Sequence, residues 1–213
     1  GELDMGLLVD TEDGLHTHID LGSAKSMLSM QLDFRGVDYG SATEAWGMYV
    51  GSFDTIGDFN PNWNPNQGAR NWTKVVVAGT SPYTVNAHDG TNTIHSQGGY
   101  AVGDLHTWRL YLNQSGAAES FFGPDGATHS IANNTWSLFV DDDLIADSVP
   151  RGTTGAYEFI EGIVFIPNKN WSGGVSESSI DNIIIRDDLD LLVPEPASIA
   201  LLGFGALLLR KRR

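Results

Sequence analysis

The sequence predicts an all-β protein, a two-sheet antiparallel sandwich followed by a single short C-terminal transmembrane helix. Three observations predict it. Short apolar–polar alternations recur along residues 1–190, separated by Gly, Asn and Asp. No amphipathic helical stretch of useful length precedes Val193. Aspartate outnumbers glutamate 19 to 8, and aspartate favours turns where glutamate favours helices.

Taken in order, the body reads as strands. Leu3 to Val9 is a short apolar run. Leu15, Thr17 and Ile19 share one face, with His16, His18 and Asp20 on the other. Leu28, Met30, Leu32 and Phe34 alternate with Ser29, Gln31 and Asp33, the pattern of a half-buried strand. Ala45 to Phe53 places Trp46, Met48 and Val50 in one register, and Trp72 to Ala78 carries three consecutive valines, which suit a pleated surface. Tyr83 to His88 and Thr91 to His95 flank Asp89-Gly90, a pair favoured in tight hairpins. Trp108, Leu110 and Leu112 alternate with Arg109, Tyr111 and Asn113, and Trp136, Leu138 and Val140 alternate with Ser137 and Phe139. Leu144 to Ser148, Phe159 to Ile166 and Ile180 to Arg186 complete the set.

The end of the chain has a different grammar. Val193-Pro194-Glu195-Pro196 precedes an uncharged run from Ala197 to Leu209, and Arg210, Lys211, Arg212 and Arg213 close it. The prolines fix φ and interrupt any regular ladder. The run, with Leu201, Leu202, Phe204, Leu207, Leu208 and Leu209, suits a lipid-embedded helix. Its 13 residues span about 20 Å as a helix, against a hydrocarbon core of about 30 Å. Counting from Val193 gives 17 residues, and snorkelling of the terminal arginines shortens the remaining gap. Four terminal cations stay cytoplasmic and leave the body outside.

This order closely resembles the PEP-CTERM sorting signal of Gram-negative bacteria. The resemblance implies an exported precursor anchored in the inner membrane, a tail over residues 191–213 processed by exosortase near Pro194, Glu195 and Pro196, and a body over residues 1–190 sorted to the cell surface or extracellular matrix. It also implies an export leader ahead of Gly1 and a setting in which exopolysaccharide is made. A second resemblance lies in the body. Trp108-Arg109-Leu110-Tyr111, the hairpin Trp136 to Asp141, Ile163 to Ile166, and Ser179-Ile180-Asp181-Asn182-Ile183 look like the closing strands of concanavalin-like or laminin-G-like jelly rolls. Asp141-Asp142-Asp143 stands where those hairpins carry Asp-Gly.

Composition narrows the chemistry. The chain has no cysteine, which excludes disulfides, thiolate metal sites and a cysteine nucleophile. Net charge is −15, and without Glu195 and the four terminal cations residues 1–193 hold 26 acids against 8 bases. Such a body does not bind nucleic acid or acidic polymers by charge, and attracts cations.

Candidate sites follow. The segment from Asp54 to Asn71 combines Phe59, Asn62, Trp63, Asn64 and Asn66. A tryptophan ring stacks on a sugar's apolar face while amides bond its hydroxyls. Asp141, Asp142, Asp143 and Asp181 are hard oxygen donors for Ca²⁺ if the fold assembles them. His16 and His18 share a face without a recognised zinc spacing. No catalytic carboxylate pair, nucleophile elbow or phosphate loop is present. Glu158 and Glu161 fall on opposite faces of a strand. The expectation is therefore a non-enzymatic polysaccharide-binding module, with a passive matrix or surface protein as the alternative and a glycan-active enzyme third.

Overall fold

The computed structural model describes residues 17–38, 44–52, 71–79, 82–89, 93–152, 159–167 and 177–191. Thirteen strands run through them. They are β1 (Thr17–Lys25), β2 (Met27–Asp38), β3 (Glu44–Gly51), β4 (Asn71–Ala78), β5 (Tyr83–His88), β6 (Thr93–Tyr100) and β7 (Leu105–Asn113). After them come β8 (Glu119–Phe122), β9 (Thr128–Ile131), β10 (Thr135–Val140), β11 (Asp143–Pro150), β12 (Ile160–Pro167) and β13 (Glu177–Arg186). The run Leu3 to Val9, the segment with Phe59, Asn62, Trp63, Asn64 and Asn66, and the tail from 192 onward lie outside the described residues.

The strands form a six-stranded sheet in the order β1-β12-β3-β4-β5-β6 and a five-stranded sheet in the order β11-β10-β7-β2-β13. All the pairings are antiparallel. Late strands return to early ones: β12 enters between β1 and β3, and β13 pairs with β2. Long-range pairing of this kind is how a sandwich closes both its sheets.

Period-two alternation decides which face goes inside. Leu28, Met30, Leu32 and Phe34 of β2 and Trp108, Leu110 and Leu112 of β7 are buried in the core, as are Trp46, Met48 and Val50 of β3 and Val75 and Val77 of β4. Phe34 sits at the middle of an aromatic group. Its ring centroid lies 4.7 Å from Trp46, 4.9 Å from Trp108 and 6.2 Å from Tyr83. Trp46 also meets Trp108 edge-on at 5.5 Å and stacks on Phe165 at 5.7 Å. These rings join the two sheets, and aromatic pairs in such offset or edge geometries add to plain area burial.

The five-stranded sheet buries part of its other face too. The short hairpin β8–β9 places Phe121 on Tyr111, 4.0 Å between centroids, with Phe139 edge-on to Tyr111 at 6.0 Å. Ile131 and Leu189 complete this small second core. Asn113, at the end of β7, pins the hairpin. Its Nδ2 donates to the carbonyls of Ala117 (2.7 Å) and Ile131 (3.0 Å), and its Oδ1 accepts from Ser115 N (2.9 Å).

The Asp-Asp hairpin between β10 and β11 resolves the turn that Asp-Gly usually makes. Val140 pairs with Asp143, leaving Asp141 and Asp142 as the two central residues, and Asp141 has φ 55°. A positive φ at the first central position is what primed hairpin turns require. Aspartate tolerates it better than most side chains.

Candidate functional site

The outward residues of β13, β2 and β7 carry polar side chains where the β8–β9 hairpin does not cover them. Register builds this patch. Asp181 faces Asp33, Asp33 faces Thr107, and Gln31 faces Arg109. Their neighbours Leu32, Trp108 and Ile180 point inward and are buried, so alternation holds the polar set outward.

A bulge then brings in a sixth group. From Asp33 to Gln31 is two steps on β2, but the matching step on β13 runs from Asp181 to Ile184. The extra residue leaves Asn182 at φ 51°, and bulges of this type re-aim a side chain. Asn182 Nδ2 donates to Asp33 Oδ2 at 2.7 Å, while Thr107 Oγ1 donates to Asp33 Oδ1 at 2.7 Å. Arg109 Nε donates to Gln31 Oε1 at 2.8 Å, and its Nη1 donates to the Asp141 carbonyl at 3.0 Å. A guanidinium has five N–H groups, so these two bonds orient it and leave donors for a ligand. The patch is a set of acceptors and donors fixed to a sheet before any ligand arrives, which lowers the ordering cost of binding.

At the hairpin tip, Asp141 ties the turn to β7. The Asp141 carboxylate pairs with His106 Nδ1 at 2.8 Å and accepts from Thr107 N at 2.9 Å, while Asp141 N donates to the Thr107 carbonyl at 2.7 Å. His106 in turn lies edge-on to Tyr100, 5.1 Å between centroids. Burial, with the charges of Asp143 and Asp141 behind it, pushes the Tyr100 phenol up to about 12. Asp142 is exposed, 4.0 Å from Arg109. Asp143 opens β11 on the surface. Asp181 Oδ1 accepts from Asn182 N at 2.8 Å and so stabilises the bulge. Asp141, Asp142, Asp143 and Asp181 are the expected Ca²⁺ donors; among the described residues no group of three His, Cys, Asp or Glu suited to a metal ion occurs. The Asp141 carboxylate bonds His106 and Thr107 instead.

The outer face of the six-stranded sheet carries a second polar row. His18, Val164, Tyr49, Lys74 and His88 face one another in register across five strands. Tyr49 lies along the sheet over Gly47, where a Cβ would come within 2.8 Å of its ring, and Lys74 Nζ is 5.8 Å from the ring centroid. Tyr49, Lys74 and His88 are buried, so this row is less accessible than the patch on the five-stranded sheet. Burial first, and the Lys74 charge second, lower the His88 pKa from 6.5 to about 4. Because the folded pKa is depressed, the unfolded chain binds the extra proton first. Stability is full above pH 6.5 and is lost as pH falls toward 4. Between pH 7 and pH 5 the full chain is expected to lose about 2 kcal/mol in urea unfolding, and His88→Gln is expected to remove that slope. A wild-type slope equal to the variant's would contradict it.

A cavity of about 220 Å³ also opens between β1 and β13. It is lined by Asp20 and Asp187 against Lys25 and Arg186, so its charges balance.

Sequence reasoning missed Asp33, Gln31, Thr107 and Arg109 as a set. Each sits at an outward position of an alternating strand, but the register that joins them is not written in any one strand.

Comparison with known proteins bears on both ends of the chain. Residues 192–213 match the PEP-CTERM protein-sorting motif. The PEP-CTERM tail marks an exported, membrane-anchored precursor. For the body, the fold is that of solved jelly-roll lectin domains. The carbohydrate recognition domain of Emp47p aligns at 13% identity with a TM-score of 0.51, covering 88% of each chain. The metal-free form of the Emp46p carbohydrate recognition domain aligns at 13% identity with a TM-score of 0.52, over 88% of this chain and 87% of that one. At that identity the likeness concerns the fold. No curated protein matches the chain in sequence.

Proposed function

We propose that this PEP-CTERM protein is an exported polysaccharide-binding module. Its tail is processed by exosortase, with Ala197 to Leu209 in the inner membrane and Arg210 to Arg213 on the cytoplasmic side. Its body is released to the cell surface or matrix of a Gram-negative bacterium. The observation that carries the binding role is the pre-ordered array of Gln31, Asp33, Thr107, Arg109 and Asn182 on an open sheet face. Carboxylate, amide and guanidinium groups held on one sheet face match the alternating donors and acceptors of sugar hydroxyls. The solved domains of this fold named above are carbohydrate recognition domains, and we carry that ligand class to this chain. The net charge of −15 selects neutral over acidic polymers.

Affinity electrophoresis of the full chain tests the proposal, with gels containing a neutral glucan, a neutral galactomannan or alginate. Retardation by a neutral polymer is expected. Asp33→Ala, or Arg109→Ala, is expected to weaken it by roughly 10- to 100-fold, the range for losing hydrogen bonds to a charged group. The melting temperature should shift little, because both groups are near the surface. Equal migration of wild type and variants in every gel would favour the passive matrix reading.

A further inference from the structure

Among the described residues the two sheets have four edge strands: β1 and β6 on one, β11 and β13 on the other. Exposed edges invite pairing with another chain, and proteins guard them with charges, prolines and bulges. Three of these edges are guarded. β1 carries Asp20 and Lys25 and a register break between them. β11 carries Asp143, Asp147 and Pro150. β13 carries Glu177, Asp181 and Arg186 with its own bulge.

β6 is different. Thr93-Ile94-His95-Ser96-Gln97-Gly98-Gly99-Tyr100 has no Lys, Arg, Asp, Glu or Pro, and its residues from Thr93 to Gly99 are all exposed. Among the described residues it pairs with β5 on one side only; its last residue, Tyr100, packs on Tyr83 and His106, while residues 93–99 are exposed. Such a strand gains little from burial and leaves half its backbone groups without a ladder.

We infer that β6 is a self-association edge, on which a second copy of this chain pairs β6 to β6 antiparallel about a two-fold axis. The charge distribution selects that occupant. In a chain of net charge −15, another copy meets like charge over most approaches, but its β6 brings none to the seam. The strand is also self-complementary in shape. With the axis at Ser96, the two-fold operation sets each Ile94, 43% exposed, opposite the other copy's Gly98. An isologous contact of this kind closes as a dimer without continuing into fibres. The seam is about 26 Å long for eight residues, smaller than a standard interface of about 1,600 Å², so the dimer is weak.

The chain has no cysteine, so one introduced thiol reports on one place. Ser96→Cys lies on the axis and meets its own copy within the roughly 4.4–6.8 Å Cα separation that a disulfide needs. Thr93→Cys lies about 20 Å from its own copy. The experiment uses the full chain in mild detergent, with oxidation of each variant and sedimentation of the unmodified protein. Expected are a disulfide-linked dimer from Ser96→Cys at least ten times faster than from Thr93→Cys, and a wild-type dimer at about 100 µM that is largely dissociated at about 1 µM. Ser96→Lys, which opposes two lysines across the seam, is expected to give monomer with an unchanged melting temperature. Equal cross-linking rates for the two cysteines, or sedimentation that Ser96→Lys does not alter, would overturn the inference.

Discussion

Trp46→Ala is expected to lower the unfolding free energy by about 3 to 5 kcal/mol, the range for removing a buried large aromatic. That corresponds to roughly 10 to 15 °C of melting temperature in a domain of this size. The reason is position. Trp46 belongs to β3 in the six-stranded sheet and touches Phe34 and Trp108 of the five-stranded sheet as well as Phe165 beside it. It is fully buried. Truncation removes transfer energy and leaves a cavity between sheets that a jigsaw of rings cannot easily close. Urea unfolding of the full chain measures it. A loss below about 1 kcal/mol would mean that these rings do not hold the sheets together.

Asn113→Ala is expected to cost about 3 kcal/mol through a different mechanism. Asn113 is fully buried, and its side chain satisfies two backbone carbonyls and one backbone N–H at the root of the β8–β9 hairpin. Alanine removes all three bonds, although the Ala117 carbonyl still accepts from Ser115 Oγ at 3.2 Å. The loss should be local first. Amide exchange in residues 119–131 should accelerate more than in β2 or β7, because local opening reports sub-global stability. Asn113→Asp keeps the acceptor for Ser115 and loses both donors, so it should fall near the alanine variant. Uniform acceleration across the whole domain would contradict the assignment of Asn113 as a local pin.

Much of the fold was legible because alternation is strong where one face is dry. Leu28 to Phe34, Trp108 to Leu112 and Trp136 to Val140 show apolar residues every second position, and each is a core strand. The β8–β9 hairpin was not legible. Its strands are four residues each and bury chiefly Phe121 and Ile131, too little for a period to appear. β6 runs past His95 through Gly98 and Gly99 to Tyr100, against the low strand preference of glycine, because β5 continues to offer it a ladder as far as Tyr83.

The site divides in the same way. The aspartate clustering at 141–143 is visible in sequence, yet its meaning is conformational: a positive φ and a carboxylate tied to His106 and Thr107. The array around Asp33 draws one or two residues from each of three strands, and Asn182 reaches it only through a bulge. Register and bulges are set by pairing between distant segments, so a single strand's pattern does not contain them.

The measurement that tests the central claim most directly is a hydrogen–deuterium exchange footprint of the full chain with and without a neutral galactomannan. If the polar patch on the five-stranded sheet binds the polymer, protection should rise in residues 29–35, 105–111 and 179–186, and Asp33→Ala should erase it. Protection confined to the six-stranded sheet, or no protection with any neutral polysaccharide, would contradict the assignment of that patch as the binding face.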